Sequence, residues 1–344
     1  LNQKNYDFDE TLSELLNASG TDDLLQDFEI SGTTDITEMQ FSDFMGDFLG
    51  TVQNQIHTPL ETLGLLTGVI ILSALAGSLR NQKQNISQIY EIITVLCAAG
   101  TAVRPLTDVF LHASEILENS ANFMLAFSAV YGGIMTAGGQ VTAAAGYQSA
   151  MVILCNIALE IAVRLLFPFL TMSLAMSLID AVNPAVSLAG MIKLIQKITV
   201  WILGFLMALF LGFLSVKSIV SVSADRVGTK AIKYAISGFV PFVGGAVSDA
   251  YSAVLGSMNM LKSTAGMIGV LGVMALLLPV LTELFLYKFL IAVAAAASEL
   301  FDASALTRLF RNLEAVLSAG FSVAVSFSVM FIISTGIMMT LGSS

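Results

Sequence analysis

The sequence predicts an all-α fold: a polytopic transmembrane helical bundle of about 7–8 spans, with an internal repeat and a small N-terminal extracytoplasmic helical segment. Three observations carry this prediction. Apolar residues make up 56% of the chain, charged residues only 12%, and the mean hydropathy is +0.83. Soluble domains carry about 25% charged residues, so water does not wet a surface this poor in charge, whereas lipid imposes no cost on exposed Leu, Ile, Phe and Val. Apolar stretches of about 20 residues, the length that crosses a bilayer as a helix, recur from Pro59 onward. Finally, charge is segregated. From Leu1 to Thr58 the single basic residue is Lys4, against acids running from Asp7 to Asp47, so the formal net charge of -10 belongs to this segment. Without a basic surface, nucleic acid is excluded as a partner.

Residues 1–58 read as short amphipathic helices, with Leu12, Leu15 and Leu16, then Phe41, Phe44, Met45 and Phe48, at helical spacing. So small a segment builds little core of its own. The chain begins at Leu1 rather than Met, which implies trimming, a cleaved secretory signal being one natural cause. Residues 59–121 read as two spans, Pro59–Leu79 and Ile86–Val103, followed by an amphipathic helix, Pro105–Ser120, suited to the membrane interface. The first span holds Gly64 and Gly68 in a GxxxG pattern, which allows close helix approach. The basic loop Arg80–Lys83 belongs in the cytoplasm by the positive-inside rule, which leaves the acidic segment outside.

Further spans are Asn122–Ala145, Ser149–Leu178, Ile198–Val216, Ser237–Leu261, Met267–Ala297 and Ala315–Thr340. Two regions among them resemble each other. Leu165–Thr171 matches Leu276–Thr282 around Pro168 and Pro279, a Gly-Gly pair precedes each, and a basic stretch follows each, Lys193–Lys197 and Arg308–Arg311. The chain therefore divides into membrane repeats at 122–216 and 217–344, the second opening on a basic cytoplasmic linker that suits anionic headgroups. Three spans per copy make the repeat inverted. Arg308 and Arg311 then lie inside, while Lys193, Lys197 and Lys262 lie outside. Chance similarity between apolar helices is the competing explanation.

Charges within spans are costly, about 2.5–3.5 kcal/mol each on insertion scales. Glu160 and Arg164, four apart with the acid first, form an ion pair that either belongs to a polar pathway or fixes packing. Asp180 and Asn183 end a long span before Pro184, at a helix end, a helix break or a plain loop. Glu283 and Lys288 face a cavity or a partner helix. Cys97 and Cys155 read as small buried hydrophobes. His57 and His112 lack a paired ligand motif. No nucleophile motif, P-loop or dinucleotide fingerprint occurs, and Gly266–Gly269 lies in an apolar helix without a preceding strand. The sequence therefore argues for no enzyme and no cofactor.

One stretch is distinctive: Lys230-Ala231-Ile232-Lys233-Tyr234-Ala235, then Phe239-Val240-Pro241-Phe242-Val243-Gly244-Gly245 and Ser248-Asp249. It resembles the stage III sporulation protein AE family, whose layout also looks like this chain over most of its length. The resemblance implies a multi-pass protein of the mother-cell membrane around the forespore. It also implies a role in a secretion-like channel complex, with a cytoplasmic ATPase, ring-forming membrane proteins and a forespore partner. It supplies no catalytic residue. Lys233, Pro241, Gly244, Gly245 and Asp249 match the motif and are the candidate functional positions, expected to form a broken helix in which Asp249 faces water, a partner or a basic residue such as Lys262. A stand-alone secondary transporter and a passive scaffold are the alternatives. A homo-oligomer is open in each case.

Overall fold

Long uninterrupted apolar runs fold as long helices. The computed structural model describes residues 55–78, 84–182, 187–239 and 244–340, with Gly46, Gly50 and Gln53, and gives side-chain surroundings for these except 76–78, 84–88 and 217–261. The helices are α1 (His57–Ser78), α2 (Gln84–Ala137), α3 (Val141–Ile161), α4 (Phe167–Val182), α5 (Ala189–Phe239), α6 (Gly244–Leu300) and α7 (Ser304–Thr340), with a π-helical turn, Ala162–Leu166, joining α3 to α4. No strand occurs among the described residues. The helical segments of residues 1–45 lie outside the described residues.

Among the described residues six segments are long and apolar enough to cross a membrane, and the span expected at 237–261 lies outside the residues so compared. Elsewhere, expected spans join in helices that do not break. The expected second span, interfacial helix and third span are one helix, α2, running through Pro105. The face expected at the membrane interface, including Leu106, Val109, Phe110, Ala113 and Leu117, is buried in protein. Its apolar stripe finds helices to cover it, so it does not lie flat on lipid. Likewise, residues 244–261 of the span expected at 237–261 share one helix, α6, with the span expected at 267–297, and this helix continues through Pro279.

α7 lies at the centre, packed against α2, α4, α5 and α6, and α6 returns against it as an antiparallel hairpin. The core is continuous through the bundle, with Phe110, Tyr131, Phe210, Phe310, Phe327 and Phe331 among its largest fully buried side chains. Tight turns join neighbours. Gly139 takes φ 80 between α2 and α3, and Asp302 takes φ 55 between α6 and α7, conformations that glycine and, less readily, aspartate tolerate.

Glycine sets the closest contact, though not where the GxxxG pattern predicts. Gly64 and Gly68 face outward, and a methyl group on either would meet no atom within 4 Å. On α6 the rings of Phe127 and Phe123 from α2 lie directly over Gly269 and Gly272, and Met339 of α7 lies over Gly266. A methyl group at any of the three would collide with the side chain above it. Cys155 is buried as expected, whereas Cys97 is exposed, because its side of α2 meets no other helix.

Candidate functional site

The polar side chains gather in three places, each created by helix ends or by a level shared between helices. The first is the head of α5. Asp180, on the last turn of α4, is buried. Its Oδ1 accepts the backbone N–H groups of Leu188 at 2.6 Å and Ala189 at 3.1 Å. Those donors open α5 and have no carbonyl within the helix, so Asp180 caps it from the preceding helix. Its Oδ2 accepts Asn312 Nδ2 of α7 at 3.0 Å. Of the readings the sequence leaves open for Asp180, the structure shows the helix end, with the side chain capping the next helix. Asn183 lies outside the described residues.

Beside this cap is a cavity of about 310 Å³, lined by Lys193 and Gln196 of α5 and by Arg308, Arg311 and Asn312 of α7. Its composition overturns the predicted sidedness. Lys193 and Arg308 line one cavity, so the two basic stretches that the repeat equates lie at the same end of the bundle. Inverted copies require opposite ends. The reason is that the helical segment 141–182 and α6 each traverse the bundle once, so both return helices, α5 and α7, start from one end. The proline segments also differ. Pro168 follows the π turn, whereas Pro279 sits inside an unbroken helix.

The second place is a band at mid-height. His112 Nδ1 of α2 meets Glu283 Oε2 of α6 at 2.7 Å. Phe110 packs on Phe167 of α4 and over Gly320 of α7. These contacts mark one level on four helices. Within two turns of it lie Arg104, Asp108, Glu115 and Glu118 on the exposed side of α2. Glu160 and Arg164 also lie there, joined at 2.7 Å across the π turn, with side chains 56% and 77% exposed. Lys288 sits there too, its Nζ 5.6 Å from the centre of the Phe321 ring, a cation–π contact. The Glu160–Arg164 pair therefore forms as predicted but faces outward and buries nothing. To one side of the band, residues 119–137, 141–159, 198–216, 263–282 and 315–340 carry no charge, each about the length of a hydrocarbon core.

The third place is the opposite end. Lys262 is buried, and its Nζ donates to Gln140 Oε1 at 2.9 Å beside the Gly138–Gly139 turn. It therefore holds that turn, and what Asp249 faces lies outside the described side-chain surroundings. In the same half, the buried Tyr147 hydroxyl meets Ser334 Oγ at 2.6 Å, tying α3 to α7. Of the distinctive motif, Lys233 belongs to α5, and Gly244, Gly245 and Asp249 to the first turns of α6. Pro241 lies outside the described residues, as do the side-chain surroundings of all five.

The profile of stage III sporulation protein AE matches residues 23–342. The chain belongs to that family. It is also 22% identical over 239 residues to the stage III sporulation protein AE of Bacillus subtilis (strain 168), an overlap covering 68% of this chain and 60% of the relative. The chain thus spans less than two thirds of that relative's length. No solved structure matches.

As a stage III sporulation AE protein, the chain is a multi-helix sporulation protein with membrane character, and no enzyme name attaches to its family. Sequence reasoning found Asp180, Glu160, Arg164, Glu283 and Lys288. It missed His112, Asn312 and Gln140 as partners. Each lies more than a hundred residues from the group it binds, and no local pattern marks such a pairing.

Proposed function

We propose that this chain is a membrane subunit of a multiprotein, secretion-like channel complex between mother cell and forespore, needed for endospore formation. The supporting observation is the outward-facing band of charge. Arg104, Asp108, Glu115, Glu118, Glu160 and Arg164 are exposed at mid-height, whereas the bundle interior there is apolar. Charges are too costly to leave against hydrocarbon, so the band faces water, headgroups or protein. Exposed apolar residues continue past it, with Leu65, Leu72 and Leu75 on α1 and Ile89, Ile93 and Leu96 on α2. An apolar exterior on both sides of a charged band is longer than a single bilayer core covers, and neighbouring subunits account for the remainder. Neighbours of the expected kinds are other envelope proteins, ring-forming subunits, a cytoplasmic ATPase and further copies of the chain.

A stand-alone transporter places its polar site inside, near mid-membrane. Among the described residues the buried charges are Asp180 and Lys262, at opposite ends and held by protein groups. The localisation that fits is the mother-cell membrane around the forespore, with the acidic N-terminal segment on the extracytoplasmic side. The working centre we assign is the Lys233–Asp249 motif, where Pro241 and the glycine pair disfavour continuous helix.

Photocrosslinking in sporulating cells tests this reading. A photoreactive residue replacing Glu115 should trap other envelope proteins, whereas one replacing Ile153, in the uncharged half of α3, should trap lipid. Equal lipid labelling at both positions would sink the assembly reading. For the motif, Asp249→Asn should leave the protein at normal levels and lower spore yield sharply. Normal sporulation would remove Asp249 from the working centre.

A further inference from the structure

The basic cavity at the head of α5 is not absorbed by the channel reading and does not depend on it. Two of its cations are free of acid. Lys193 and Arg308 have no carboxylate within ion-pair distance among the described residues. The third is committed, since Arg311 donates to Glu299 at 2.9 Å and to Glu314 at 3.1 Å. Asp180 is the acid in the wall, but its oxygens accept Leu188, Ala189 and Asn312, and it makes no ion pair with the lysine or the arginine among the described residues. A buried donor is also left over. Gln196 lines the cavity, and its buried Nε2 has no hydrogen-bond partner among the described residues. An unpaired buried donor is costly, and two unpaired cations beside it specify what would satisfy all three: a doubly or singly charged oxyanion.

The surface below the cavity identifies the carrier of that anion. Along the exposed side of α5, Lys193 and Lys197 are followed by Trp201, 70% exposed and stacked flat on Phe205 at 5.9 Å. Basic residues, then an indole, then bare apolar helix is the order met on passing from headgroups into acyl chains. Leu194, Ile198, Trp201 and Phe205 are all exposed and fall on one helix face at successive three- and four-residue steps. This face leads from the cavity into the uncharged stretch 198–216. Basic pockets between membrane helices at headgroup level suit anionic phospholipids.

We infer that this cavity holds the phosphate of an anionic phospholipid such as phosphatidylglycerol, with Lys193 and Arg308 pairing with the charge, Gln196 donating to a phosphate oxygen, and an acyl chain lying over Trp201 and Phe205. The cavity is large enough for the glycerol as well as the phosphate. Arg311 and Asp180 hold the walls and make no direct demand on the lipid.

The test uses the full chain, purified and delipidated in a neutral detergent, titrated with dioleoyl phosphatidylglycerol, dioleoyl phosphatidylcholine or inorganic phosphate while its thermal midpoint is followed. Phosphatidylglycerol should raise the midpoint and the neutral lipid should not. The double variant Lys193→Gln/Arg308→Gln should bind phosphatidylglycerol about 30-fold more weakly, while Lys288→Gln, on α6 and away from the cavity, should bind it nearly as wild type. An unchanged midpoint in the neutral lipid shows that the double variant is folded. If it does not fold, Gln196→Leu replaces it and should weaken phosphatidylglycerol binding several-fold. Equal stabilisation by both lipids overturns the site, and so does full retention of the phosphatidylglycerol effect in the cavity variants. Stabilisation by inorganic phosphate to the same extent overturns the lipid and leaves a free-phosphate site.

Discussion

The segments 141–182 and 262–300 are near equals in sequence and unequal in structure. Each holds an 18-residue stretch of high mean hydropathy, 2.1 in the first and 2.2 in the second, and each carries a proline in a closely similar heptapeptide. Yet the first opens into the π turn Ala162–Leu166, and the second runs unbroken through Pro279. Proline lacks an N–H and presses on the carbonyl four residues back, here Arg164 in one case and Ala275 in the other. Arg164 stands on an exposed surface where the backbone is free to widen. Ala275 is buried, in a helix clasped by α2 on its glycine strip and by α7 along its length. The same local defect is expressed where the surroundings are loose and suppressed where they are tight.

The sharpest way to break this comparison is to loosen the tight side. Gly269→Leu places a branched side chain where the Phe127 ring lies, and should lower the melting midpoint in detergent by about 5 °C or more. Gly64→Leu, on an uncovered face, should leave it unchanged. Similar losses from both would remove the distinction between covered and uncovered glycines.

Next in size is Asp180→Ala. It strips the cap from α5 and orphans Asn312, a loss of about 2 kcal/mol. Limited proteolysis should then cut faster between α4 and α5, and Asp180→Asn should fall between the two. A smaller effect concerns the link across α2 and α6. A double-mutant cycle on His112→Ala and Glu283→Ala should give a coupling of about 1 kcal/mol, and zero coupling would make the 2.7 Å contact incidental.

Pro168→Ala sharpens the comparison directly. It removes the cause of the widened turn, so amide exchange across Ala162–Leu166 should slow, whereas Pro279→Ala should leave exchange along α6 as it was. The smallest effect is expected from Glu160→Gln. An ion pair this exposed is worth less than about 0.5 kcal/mol, so thermal stability should not move, even if assembly with partners does.

Against this background the limits of sequence reading are physical. The membrane helical class was legible because composition alone decides it. Asp180 stood out as a charge at the end of a long span, but helix end, helix break and loop stayed open, because the backbone donors it caps follow only after Asn183-Pro184. The glycines were misread because a GxxxG spacing says that a helix can be approached, not which helix approaches it. Gly64 and Gly68 have the pattern without a neighbour, and Gly269 and Gly272 have the neighbour without the pattern. The expected break at Pro105 does not occur, because the helix on either side of it is packed against its neighbours. The inverted repeat failed on Lys193 and Arg308, whose placement follows from how many times the chain turns and not from the residues it uses.

α2 has a consequence of another kind. Its 54 residues form one helix, roughly 80 Å long at 1.5 Å per residue, in contact with α1, α3, α4, α6 and α7. One continuous helix therefore joins the charged level of Arg104 to Glu118 to the turn held by Lys262, so the distance between these two polar levels is set by helical rise and not by a loop.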